Sequence, residues 1–107
     1  LVLGVAYKQD IDDYRESPAI RVIKQLLSVG ADVSYYDPWV PRFKDGDVEM
    51  ESILELTEAV LGEADLVVVT ASHTDVDYHF VQRHAKMIFD TKNAMKLVSD
   101  RDNIEVL

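Results

Sequence analysis

Short apolar runs alternating with helix-patterned segments set the rhythm of this chain. Leu1-Val2-Leu3-Gly4-Val5-Ala6 is a continuous apolar run of strand length, the pattern of a strand covered on both faces. The polar stretch from Tyr7 to Glu16 follows, with six charged residues and no glycine. Ser17-Pro18 reads as an N-cap and first helical position, where proline gives up an amide that has no intrahelical partner anyway. Ile20, Ile23, Leu26 and Leu27 share one helical face, and Gly30 stops the helix. Val33 to Tyr36 is a second short strand. Asp37-Pro38-Trp39-Val40-Pro41 breaks regular structure, since each proline disfavours helix in the residue before it. Lys44-Asp45-Gly46-Asp47 has turn chemistry. Ser52 and Glu55 stand at capping-box spacing for a helix running to Gly62, with Thr57 as a rival start. Leu66 to Thr70, with three consecutive valines, is the most strand-like segment. A short helix is expected within Thr74 to His84, a fourth core strand over Met87 to Asp90, and an edge strand over Ile104 to Leu107.

This alternation predicts an α/β fold: three layers, α/β/α, around a mainly parallel, Rossmann-like sheet of about five strands. Such sheets bind ligands beyond the carboxyl ends of their strands, near the point where strand order reverses. The loops that matter are therefore Tyr7 to Glu16, Asp37 to Pro41, Ala71 to Asp75 and Asp90 to Asn93. No internal repeat or low-complexity tract interrupts the pattern. The 107 residues are expected to form a single domain. Because the chain opens in mid-strand, that domain reads as a piece excised from a longer protein.

Composition narrows the partners. Eleven basic and 20 acidic side chains give a net charge of −9, which repels nucleic acid and anionic membrane surfaces. A hydrophobic fraction of 48% with 29% charged residues is a globular balance. The absence of cysteine excludes disulfides, thiolate metal sites and a cysteine nucleophile within this chain. It suits a reducing compartment, and a cytoplasmic location is expected. The apolar opening is far shorter than the ~20 residues a membrane span needs, and it lacks the flanks of a signal peptide.

The first loop carries the richest chemistry. It leaves the opening strand and enters a helix N-terminus, whose free amides and partial positive charge favour phosphate. Lys8 and Arg15 stand there as two cations able to clamp a diphosphate, the lysine as a mobile point charge and the arginine as a bidentate fork. On composition alone, both simply pair with Asp10, Asp12, Asp13 and Glu16. A dinucleotide fingerprint is absent, because no glycine follows Gly4 until Gly30, so no self-contained NAD site is expected. A receiver-type phosphoacceptor fails as well: Tyr7-Lys8, not acids, follow the first strand, and Asp65 lies at the wrong end of the third. His73, His79 and His84 lack the i, i+4 spacing of a helical zinc pair, and Asp10, Asp12 and Asp13 lack the glycine and distal glutamate of a calcium loop, so no metal is predicted. Trp39, Tyr35 and Tyr36 are read as core or rim packing rather than base-stacking platforms.

The block Gly4-Val5-Ala6-Tyr7-Lys8, Asp10-Ile11-Asp12-Asp13 and Arg15-Glu16-Ser17-Pro18-Ala19 has an ordered continuation: Gly30-Ala31, Tyr36-Asp37-Pro38 and Val40-Pro41. With Glu63-Ala64-Asp65 and Phe89-Asp90-Thr91-Lys92-Asn93, it resembles the C-terminal domain of the UDP-glucose/GDP-mannose dehydrogenase family, over essentially the whole chain. The isoleucine-bearing form of the first block looks most like the branch acting on UDP-N-acetylhexosamines.

The resemblance implies the UDP-sugar-binding domain of an NAD-dependent nucleotide-sugar 6-dehydrogenase, an oxidoreductase of polysaccharide biosynthesis that converts the C6 alcohol to a carboxylate. NAD would be held mainly by an N-terminal Rossmann domain. A central domain would supply contacts for a homodimer or larger assembly, and the thioester-forming cysteine would lie upstream, so the chain alone would not turn over and no catalytic residue lies within it. Carried onto matching positions, the resemblance gives Tyr7 and Lys8 contacts to the UDP-sugar and Arg15 contact to NAD. Lys92 stands where the family commonly has arginine; it keeps the charge for the substrate and loses the bidentate fork. Asp10 and Asp13 become orienting or capping residues, and Asp37-Pro38 a turn-forming pair before a ligand contact. The competing reading is a free-standing α/β interaction module that retains the fold without chemistry.

Overall fold

The computed structural model describes residues 1–107. In chain order its elements are β1 (Val2–Leu3), α1 (Pro18–Ser28), β2 (Tyr35–Tyr36), β3 (Arg42–Asp45), β4 (Val48–Glu51), α2 (Glu58–Glu63), β5 (Val67–Val69), α3 (Tyr78–His84), β6 (Ile88–Asp90) and β7 (Ile104–Val106). Five strands make one parallel sheet in the order β2-β1-β5-β6-β7, and β3 and β4 form a separate antiparallel hairpin. The fold is α/β and Rossmann-like. Strand order reverses between β1 and β5, since β2 lies on one side of β1 and all later sheet strands on the other.

Successive strand residues face opposite sides, so each face has its own core. Val2 joins Ala19, Ile20 and Ile23 of α1, Tyr35, Val40 and Phe43 in one buried cluster. Leu3 joins Leu61 of α2, Val67, Val69, Val81 of α3, Ile88 and Met95 in the other. The helices thus fall on both faces, completing the expected layers.

The caps follow local chemistry. Ser17 is extended at the N-cap and its hydroxyl accepts from the Ala19 amide at 3.2 Å, with Pro18 behind it. The helix ends at Ser28, and Gly30 follows at φ +87°, a conformation open to glycine and costly for other residues. Leu27, expected on the inner face of α1, is 38% exposed at its margin. Thr57, not Ser52, caps α2, accepting from Val60. Ser52 is drawn away: its hydroxyl accepts from the Asp37 amide and donates to the Ile53 carbonyl.

Two segments differ from expectation. The opening strand spans only Val2–Leu3, although Val5 and Ala6 are fully buried. Their amides donate to the Asp37 carboxylate instead of to a neighbouring strand. The region read as a turn, Lys44 to Asp47, is the tip of a hairpin that pairs Phe43 with Met50 and Asp45 with Val48. Phe43 faces the α1-side core, and the charged Arg42, Lys44, Glu49 and Glu51 face outward.

Candidate functional site

The loops after β1, β2, β5 and β6 meet at the carboxyl edge of the sheet, and the first of them is built around two carboxylates. Asp37, at the end of β2, is buried and accepts five hydrogen bonds. Oδ2 takes the Val5 and Ala6 amides at 2.8 and 3.0 Å and His73 Nε2 at 2.9 Å; Oδ1 takes the Trp39 and Val40 amides at 2.8 and 3.2 Å. Burial by itself would raise its pKa. The hydrogen bonds from His73, Trp39 and Val5 outweigh burial and hold the carboxyl below its ordinary value. Asp37-Pro38 is therefore the turn-forming pair expected, and its carboxylate also anchors the turn that leaves β1.

Gly4 makes that turn possible. It sits at φ +90°, and a Cβ there would lie 2.5 Å from Ala71 Cβ, so β1 passes the loop after β5 with no room for a side chain. Asp10, at φ +59°, then crosses the sheet's switch point. Its amide donates to His73 Nδ1 at 2.7 Å, and its carboxylate accepts from the Thr74 amide and hydroxyl at 2.8 and 3.0 Å. Gln9 Oε1 accepts from the Ser72 hydroxyl beside it at 3.1 Å. Asp10 is an orienting residue, as the sequence suggested.

The expected ligand contacts are displayed on the outside of this tied loop. Tyr7 is 49% exposed, its amide held by the Asp13 carbonyl at 2.7 Å. Lys8 Nζ lies 6.0 Å from the centre of the Tyr7 ring and pairs with no carboxylate. Arg15 is gripped at both ends of one edge, Nε to Asp13 Oδ1 and Nη2 to Asp13 Oδ2, each at 3.0 Å. The pairing is in the open: the Arg15 side chain is 85% exposed. Hydrogen bonds from the Arg15 side chain and amide lower the Asp13 pKa, and Asp13 raises that of Arg15. The composition-level pairing thus holds for Arg15 and not for Lys8. Because the fork uses Nε and Nη2, the Nη1 edge of the guanidinium stays free for an anion. Tyr7, Asp13, Arg15 and Glu16 line an open depression of about 370 Å³.

Lys92 is exposed on the loop after β6, two strands from β1 and so roughly 10 Å across the sheet edge. Asp90, fully buried, shapes that loop by accepting from the amides of Lys92, Ala94 and Met95 at 2.8–3.1 Å. Tyr7, Lys8 and Arg15 thus share one loop, and Lys92 comes from another on the same edge. Sequence reasoning missed His73, which was weighed only as a metal ligand. Here it is 1% exposed, one ring nitrogen on Asp37 and the other on Asp10, with its carbonyl accepting from Tyr78 Oη at 2.9 Å. Burial, and then the charges of Asp90, Asp10 and Asp37, push the Tyr78 phenol pKa up.

A Rossmann-like sheet whose switch-point loop presents an exposed tyrosine and an unpaired lysine has the architecture of nucleotide-binding α/β domains. Residues 1–97 match the model described as the UDP-glucose/GDP-mannose dehydrogenase family, UDP binding domain, and the chain belongs to that family. It is 34% identical to the UDP-N-acetyl-D-mannosamine dehydrogenase of Methanococcus maripaludis, an alignment covering 89% of this chain and 22% of that one. Against the UDP-glucose 6-dehydrogenase of Rickettsia bellii the identity is 32%, over 89% of this chain and 24% of the relative. Among solved structures, the UDP-D-ManNAc dehydrogenase of Pyrococcus horikoshii superposes with a TM-score of 0.71 at 27% identity, over 98% of this chain and 24% of that one. The chain thus spans about a quarter of the length of the relatives it matches.

Proposed function

We propose that this chain is the UDP-sugar-binding domain of an NAD-dependent nucleotide-sugar 6-dehydrogenase, the enzyme that oxidises the C6 alcohol of a UDP-sugar to a carboxylate. Family membership supports the class, and the names of the relatives favour a UDP-N-acetylhexosamine as substrate. One geometric observation carries the assignment of residues: in a chain of net charge −9, Lys8 stands exposed beside Tyr7 with no carboxylate partner. A cation left unpaired among acids suits a phosphate brought by a ligand. In this reading Tyr7 packs against the nucleotide sugar, Lys8 neutralises its diphosphate, and Lys92 adds a second charge from the neighbouring loop. Lysine reaches phosphate as a point charge and does not need a fork.

The residues present do not fit an NAD site of their own. The first loop has no glycine to admit a pyrophosphate, and both oxygens of Asp37, at the position where dinucleotide folds hold ribose, are taken by protein donors. NAD belongs to the N-terminal domain of the longer enzyme, with Arg15 reaching toward it through its free edge. Asp13 then serves to pre-orient Arg15 for that contact.

Substitution of Lys8 in the full-length enzyme tests the assignment. A lost charge-assisted contact is worth ~1.5–3 kcal/mol when water is excluded, so Lys8→Ala is expected to raise KM for the UDP-sugar about tenfold or more. An unchanged KM removes Lys8 from the site.

A further inference from the structure

The switch-point crevice between β1 and β5, where folds of this kind seat a ligand, is closed here by the chain itself, and buried His73 is the closing piece. Its Nδ1 accepts from the Asp10 amide at 2.7 Å, so the ring proton resides on Nε2 and is donated to Asp37 at 2.9 Å. One neutral imidazole thereby links the loops after β1, β2 and β5. On the solvent side Thr74 seals the same contact through Asp10, and inside Tyr78 Oη fixes the His73 carbonyl.

We propose that His73 is a positioning residue for the nucleotide-sugar site: by holding the Asp10 amide it fixes the loop shape that presents Tyr7 and Lys8, and it confines the ligand to the outer face of that loop. The link is short. Asp10 is two residues from Lys8, and the Tyr7 amide closes the loop onto the Asp13 carbonyl at 2.7 Å. Without the ring acceptor, the Asp10 amide would face a buried site with no partner, and the loop would open to satisfy it. The consequence for the ligand rests on the functional reading above; the tether itself does not.

Two substitutions separate the two ring contacts. Asparagine puts its oxygen near the place of Nδ1, and glutamine puts its nitrogen near the place of Nε2. In the isotopically labelled chain, long-range proton–nitrogen correlation is expected to show His73 protonated at Nε2 alone. Amide exchange of Asp10 and Tyr7 is then compared with that of Val68, whose amide donates to Leu1 within the sheet and reports global opening. His73→Gln is expected to speed Asp10 and Tyr7 exchange about tenfold or more relative to Val68, and His73→Asn to restore it to within about twofold. If His73→Gln does not fold, Thr74→Val, which removes an exposed contact to Asp10, is expected to speed the same two amides selectively. Protonation at Nδ1, or exchange of Asp10 and Tyr7 that only tracks Val68, would overturn the tether. UDP-sugar kinetics of the full-length enzyme separate the two ideas. If Lys8→Ala leaves KM for the UDP-sugar unchanged, the substrate-site reading fails while the exchange data still decide the tether. If His73→Gln speeds exchange but leaves that KM unchanged, the positioning role is overturned.

Discussion

At the scale of single residues, Asp37 holds the site together, and its chemistry allows little substitution. Five donors converge on its two oxygens from the segment after β1, its own turn and His73. Asp37→Asn puts an amide donor where an acceptor is required and leaves buried donors facing it. The expected loss of stability is about 3 kcal/mol or more, measured by urea denaturation. The pH dependence has a definite sign. The folded pKa lies below the ordinary 3.8, so on acidification the unfolded chain takes up the proton first. The stabilisation from Asp37 is complete above pH 3.8 and is lost as pH falls through the depressed value. Acid unfolding of the unsubstituted chain should steepen there, and the Asn variant should lack that component. Tyr35, buried and donating to the Val40 carbonyl, is pushed up to about 12, mainly by burial and then by the charge of Asp37, so its phenol stays protonated wherever the site operates.

At the scale of elements, α1 is the clearest case of local chemistry deciding structure. Ser17 caps it, Pro18 begins it, and Ala19, Ile20 and Ile23 bury its inner face. The cap also closes the loop after β1, because the Ser17 amide donates to the Tyr14 carbonyl at 3.1 Å. Ser17→Ala should cost about 1 kcal/mol, seen as a lowered urea midpoint with an unchanged slope. This helix, the buried valines of β5 and the parallel sheet were legible because each depends on residues near in sequence or on an unbroken apolar run. The β3–β4 hairpin was legible in principle: Phe43, Val48 and Met50 alternate with charged neighbours around Gly46-Asp47, a two-residue hairpin sequence. Reading only the turn missed the period of two on either side. The short β1 could not be read, since its truncation depends on Asp37, more than 30 residues away, capturing the Val5 and Ala6 amides. Lys8 and Arg15 were visible as cations at a helix N-terminus and became ligand contacts through a resemblance, as did Tyr7 and Lys92; the structure adds what local sequence cannot carry: Arg15 lies in the grip of Asp13, and His73 joins loops 63 and 36 residues distant.

At the scale of the whole molecule, the site has one wall. Tyr7, Lys8 and Lys92 lie on the open edge of the sheet, and the depression beside Tyr7 and Arg15 faces solvent. Exposed charge contacts contribute ~0.2–1 kcal/mol each, so the two lysines supply at most about 2 kcal/mol, and Tyr7 packs from one open side only. A dissociation constant of 1 mM already requires about 4 kcal/mol. The overall charge of −9 adds a repulsion toward a diphosphate that salt relieves only by screening. The chain by itself is therefore expected to bind UDP no more tightly than about 1 mM, measured by calorimetry or resonance shifts. In the proposed function, covering the loop with other domains of a longer enzyme would exclude water and strengthen the same contacts, so binding by the intact enzyme should be tighter by orders of magnitude. A micromolar constant for the isolated chain would mean that its exposed edge binds without a covering domain, and would overturn this expectation.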